Sequence, residues 1–152
     1  MSRSNMKSVC LGALIGVLGI AVTAVAATPE DTIKYRQAVM KSVGGHTGAI
    51  AQIVRGKVDH KEDLAYHAES ISRSLDNVPK LFPDGSDFGE TRALASIWEK
   101  SDDFKQKASD AKDAAAAFAA AAGSGNESEI GPKFKTLVDA CKACHKDYRE
   151  EE

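Results

Sequence analysis

Ile130-Gly-Pro-Lys-Phe-Lys-Thr-Leu-Val-Asp-Ala-Cys-Lys-Ala-Cys-His-Lys-Asp-Tyr-Arg149 carries apolar or sulfur-bearing side chains at Ile130, Phe134, Leu137, Cys141, Cys144 and Tyr148. Steps of three and four residues alternate along this series, which lines it up on one face of an α-helix. Asn126 is a candidate cap, although Gly131-Pro132 makes an awkward first turn and moves the expected start to Pro132. Both cysteines therefore fall on the face that the helix turns toward its neighbours.

Three more segments carry the same period. Ile33, Arg36, Met40, Val43, Thr47, Ile50 and Val54 form the first, opened by Thr28 as cap, Pro29 at the first helical position and Asp31 three beyond the cap. Arg36 is the polar interruption of that face. Gly44-Gly45 weaken the helix by about 1 kcal/mol each, a cost accepted where another backbone or a flat ligand comes close. Leu64, Ala68, Ile71, Leu75, Val78 and Phe82 form the second, with Asp59 as expected cap and Glu62 in the capping-box position. Its end is expected near Pro79 or Pro83, before a turn-rich stretch, Pro83-Asp-Gly-Ser-Asp-Phe-Gly89, that reads as the longest internal loop. The third runs from Leu94 through Ile97, Ser101, Phe104, Ala108, Ala111, Ala115 and Phe118 to Ala122, with Trp98 beside it and Gly123-Ser-Gly as its stop.

Four amphipathic helices of about 20–30 residues, three short connections and no strand signal predict an all-α, antiparallel up-down-up-down four-helix bundle. At 152 residues one domain with a proper core is expected. Arg3 and Lys7 precede an apolar stretch from Val9 to Ala27, and Ala24-Val25-Ala26 offers a small-x-small cleavage site. Residues 1–26 thus read as a cleaved export signal, with an uncleaved membrane anchor as the alternative, and 27–152 as the mature domain. Loss of Arg3 and Lys7 from the 20 Lys and Arg, with none of the 22 Asp and Glu removed, takes the net charge from −2 to −4. That balance argues against nucleic acid or an anionic membrane as partner. Cys10 leaves with the signal, so only Cys141 and Cys144 enter an oxidising compartment, where a vicinal pair on one segment staples nothing together.

Cys141-Lys-Ala-Cys-His145 follows a known pattern for c-type haem attachment. Two thiols at i and i+3 and an imidazole at i+4 project from neighbouring points of one helix face. Each thiol can form a thioether with one haem vinyl while His145 reaches the iron as proximal ligand. A thioredoxin-like pair would start a helix after a strand, and no strand is expected here. A zinc site would need a fourth ligand, with only His46, His60, His67 and carboxylates on offer. Those three histidines fall off the apolar faces and read as solvated.

Only seven residues follow the motif, so the distal side of such a haem must come from an earlier helix. Met40 is the one methionine beyond the signal and lies on the inward face of the first helix. A thioether suits the sixth position on haem iron, and core packing is the alternative role. Arg36 on an apolar face calls for a counter-charge, for which a haem propionate suits its planar fork; otherwise it snorkels to the bundle end.

Pro29 to Met40, Ile97-Trp98, Phe104-Lys-Gln-Lys107 and Cys141 to Arg149 together resemble the class II c-type cytochromes, meaning cytochrome c′ and its low-spin relatives. The resemblance covers essentially the whole mature chain and implies one covalently attached haem c, held by Cys141 and Cys144 with His145 as axial iron ligand. It implies that Met40 faces the iron distally, that Arg149 flanks the proximal face, and that Arg36, Gln37, Glu90 and Thr91 border the crevice. Phe82 matches a distal aromatic. The resemblance further implies a periplasmic one-electron carrier that works with redox partner proteins, or alternatively a five-coordinate protein that binds or sequesters nitric oxide or carbon monoxide. No general acid or nucleophile stands out, so an enzyme is not expected. A homodimer through the first two helices is common among proteins this one resembles, and their small outer residues permit it.

Overall fold

The computed structural model describes residues 27–151. The export-signal reading, with Cys10, lies outside them. Within them, Thr28 Oγ1 accepts a hydrogen bond from the Asp31 amide at 3.1 Å and so caps α1, Pro29–Val54, as its sequence predicts. A single 3-10 turn, Lys61–Asp63, then leads into α2, Leu64–Leu75. The expected Asp59 cap and Glu62 capping box do not form, because the chain enters through that 3-10 turn after His60.

Two predicted helices are shortened by identifiable competition. The apolar period of α2 continues to Phe82, but its helical backbone stops at Leu75 and a second 3-10 turn occupies Val78–Leu81. Pro79 has no amide to continue the ladder and disfavours the α conformation at Val78. Leu94 stands outside the third helix because its amide donates to the Tyr148 carbonyl at 3.2 Å, next to an isolated bridge between Ala93 and Arg149. That helix is also broken, into α3, Ser96–Glu99, and α4, Ser101–Gly123, where Lys100 leaves helical geometry at φ −122°.

The last helix, α5, spans Glu127–Tyr148. It therefore begins before Pro132, which sits inside it and forfeits one backbone bond rather than opening the helix. Gly125, at φ +70°, supplies the left-handed turn between α4 and α5.

The helices pack in the order α1–α2–α4–α5, with α2 on α4 and α4 on α5 the most intimate pairs. Together they form the expected antiparallel four-helix bundle, and among the described residues no strand is present. Ile50, Ile71, Phe118 and Leu137, one from each long helix, are fully buried. Each such side chain contributes about 1.5–3 kcal/mol on burial. Ala115 and Ala119 let α4 sit close to its neighbours. By contrast α1 and α5 make little backbone contact, and the space between them defines the site. None of the described helices is long and apolar enough to cross a membrane.

Candidate haem site

A cavity of about 540 Å³ opens between α1 and α5. Its size lies within the range of about 300–1,000 Å³ typical of cofactor sites. Apolar side chains such as Val43, Leu75, Ile97, Phe104 and Val138 make up most of the wall. From α5 come Cys141, Cys144 and His145, with Arg149 just past its end; from α1 come Arg36, Gln37, Met40 and Gly44. Phe82 and Thr91 line it as well. Glu90 is the exception among the expected residues: it is exposed, lies outside the lining, and contributes only its backbone carbonyl, which accepts from Gln37 Nε2 at 2.7 Å.

The α5 wall holds its thiols largely un-ionised. Cys141 and Cys144 are free and half-buried, and burial pushes both thiols up, Cys144 to about 11. A dithiol redox pair needs the opposite, a depressed thiol that ionises near neutrality. His145 is held below its ordinary range by burial first and then by the Arg149 and Arg92 charges. Its imidazole is thereby kept neutral, the form that binds iron.

The opposite wall is organised by Arg36. Only 3% of this residue is exposed, which excludes snorkelling. Nη1 donates to Ser86 Oγ at 2.9 Å and Nη2 to Thr91 Oγ1 at 2.7 Å. The guanidinium carbon lies 4.7 Å from the centre of the Phe82 ring and 5.9 Å from Trp98. Ser86 in turn donates to the Pro83 carbonyl at 2.8 Å, and Trp98 Nε1 donates to the same carbonyl at 3.2 Å. One buried cation thus pins the loop after Phe82 to α1. Hydroxyls and ring faces offer it no full counter-charge, and a buried charge strongly favours an anionic partner. Haem, a flat apolar macrocycle with two carboxylate arms, fits this combination of apolar cavity, paired thiols, neutral imidazole and buried guanidinium.

Three participants escaped sequence reasoning. Ser86 and Trp98 complete the arginine cage, and Arg92, whose Nη2 donates to the Glu150 carbonyl at 2.5 Å, adds charge near His145. Ser86 and Arg92 carry no sequence signal beyond proximity to the turn-rich loop, and Trp98, part of the family resemblance, carries none for its contact with Arg36. The histidines also need correction. His46 and His67 are half-buried and hydrogen-bonded to each other, not solvated, whereas His60 is exposed as expected. None of the three lines the cavity, and among the described residues no cluster of metal-ligating side chains includes Cys141, Cys144 or His145.

Fold and cavity together define a helical-bundle protein of the c-type haem class. A family model described as Cytochrome C' matches residues 31–149. Cytochrome c′ of Pararhodospirillum photometricum is 37% identical over 125 residues, covering 82% of this chain and 100% of that one. The structure of cytochrome c prime from Shewanella frigidimarina superposes with a TM-score of 0.78 at 31% identity, over 84% of this chain and 100% of that one. A nitric oxide complex of a variant of cytochrome c prime from Alcaligenes xylosoxidans superposes at 0.76 with 28% identity, over 84% and 100%. The chain belongs to the cytochrome c′ family, whose cofactor is a covalently attached haem c with iron.

Proposed function

We propose that the chain is a periplasmic monohaem cytochrome that carries one electron at a time between redox partner proteins. When bound, haem c supplies a ferric–ferrous couple. Cys141 and Cys144 would hold it by thioethers and so prevent its loss, while the neutral imidazole of His145 would bind its iron. Arg36, with Gln37 beside it, answers the propionate charge, and Arg149 flanks the proximal face. The apolar wall excludes water, which tunes the potential.

Met40 carries this reading. It is the sole methionine among the described residues, is partly buried against the core, and lines the same cavity as His145 from the facing helix. As a donor to the iron, the Met40 thioether would keep exogenous ligands out and favour electron transfer. A second reading, reversible capture of nitric oxide or carbon monoxide, is favoured by the nitric oxide complexes known for the Alcaligenes xylosoxidans relative. The ferrous absorption spectrum decides between them. A six-coordinate low-spin spectrum that converts to high-spin in Met40→Ala supports the carrier; a five-coordinate spectrum with ready carbon monoxide uptake in the unaltered protein overturns it. Export is tested separately, by sequencing the N-terminus of the periplasmic protein, expected to begin near residue 27.

A further inference from the structure

His46 on α1 and His67 on α2 stand apart from the cavity, and neither is used by the function above. Their Nδ1 atoms are 2.8 Å apart, with ring centroids at 5.1 Å and planes tilted by 51°. The exposed Tyr66 ring lies beside both, 5.9 Å from His46 and 5.3 Å from His67. At that separation one imidazole must present Nδ1–H and the other an Nδ1 lone pair, so the pair is held together by a single shared proton.

Two features of this pair go beyond a surface hydrogen bond. The rings come from different helices and are half-buried, so backbone packing has already brought them together. Moving that proton to Nε2 of the same ring, a tautomer change that keeps both imidazoles neutral, would leave two Nδ1 lone pairs facing the space between the rings. Zinc–imidazole bonds of about 2.0–2.1 Å at a tetrahedral angle require nitrogens about 3.3 Å apart, an opening of about 0.5 Å that side-chain rotation can supply. Burial, followed by the charge of His67, depresses His46, which favours the neutral imidazole that metals bind.

We propose that His46 and His67 form a two-histidine site for a late divalent transition-metal ion, such as Zn²⁺ or Cu²⁺, clamping α1 to α2. Water completes the coordination on the exposed side. No carboxylate or thiol among the described residues joins the pair as a third ligand, so the site is labile and of moderate affinity rather than a closed structural centre. Its occupant bridges the two helices without touching the haem cavity.

Chelator-stripped, haem-loaded protein titrated with Zn²⁺ alone, by calorimetry and by thermal unfolding, tests the site. One equivalent is expected to bind at micromolar concentration and to raise the unfolding midpoint. His46→Gln and His67→Gln should each weaken that binding at least tenfold, while His60→Gln, which alters the exposed His60–Glu62–Asp63 cluster, should leave it unchanged. Absence of one-equivalent uptake by the unaltered protein overturns the proposal, a result independent of whether any variant folds. So does uptake lost in His60→Gln but kept in the other two.

Discussion

The two walls of the cavity are built in opposite ways. On one side Cys141, Cys144 and His145 follow one another along a single helix, within five residues, and Arg149 stands just past its end. On the other, Arg36 depends on partners 50 and 55 positions away in sequence, Ser86 and Thr91, and on the rings of Phe82 and Trp98. Helix geometry alone brings the two thiols and the imidazole together, and that spacing survives any tertiary change that spares α5. The second exists only after the loop closes over α1. Attachment is therefore a local property and tuning a long-range one.

The comparison breaks most visibly on the attachment side. Replacing Cys141 and Cys144 together by Ala should convert haem from wholly retained to wholly extractable in acidified acetone, without altering the distal wall. Met40→Ala should leave haem attached and lower the reduction potential on the order of 100 mV, a part of the about 0.8 V that axial ligands span; redox titration checks it. If potential is unaffected, the distal wall is only packing.

Arg36→Gln sharpens the contrast further. Loss of two charge-assisted hydrogen bonds in a buried site should cost about 1.5–3 kcal/mol in denaturant unfolding. Faster proteolysis within residues 83–95 should accompany it, because the loop loses its anchor. Gly44 and Gly45 offer a smaller and cleaner test. Gly45 is exposed, so Gly45→Ala should stabilise the helix by about 0.5–1 kcal/mol with an unchanged haem spectrum. Gly44 lines the cavity, so the methyl of Gly44→Ala should perturb the spectrum despite the same gain in helix propensity.

The smallest expected effect lies outside both walls. His46 titrates below its ordinary value in the folded protein, through burial and the nearby His67. The unfolded chain consequently binds more protons below about pH 6.5, and stability falls as pH drops through that region. With chelator present, denaturant midpoints at pH 8 and pH 5.5 should differ less in His46→Gln than in the unaltered protein. An equal difference would show that the pair does not contribute.

Much of the molecule was legible before any coordinates. Apolar period located all four helices, because burial along a 3.6-residue repeat leaves a pattern that needs no partner to be read. Thr28, Gly125 and the attachment motif were legible for the same reason: each acts through residues within a turn of itself. What escaped reading involved competition between distant groups. Leu94 continues the apolar period of the third helix, yet its amide belongs to Tyr148, and α2 ends early although its apolar face runs on to Phe82. His46 and His67 were misjudged because each lies off its own helix's apolar stripe, and only the packing of α1 on α2 makes the two stripes' edges meet.

The amino-acid sequence by itself determined the bundle, the single attachment segment and the placement of Met40 on an inward face, all consequences of spacing along one helix at a time. Tertiary structure alone decided that α1 and α5 part to form a cavity, and that Arg36 is buried beneath Phe82 and Trp98. It also decided that two histidines from neighbouring helices share a proton. Those outcomes depend on which surfaces win contact when helices pack, and no local period encodes that competition.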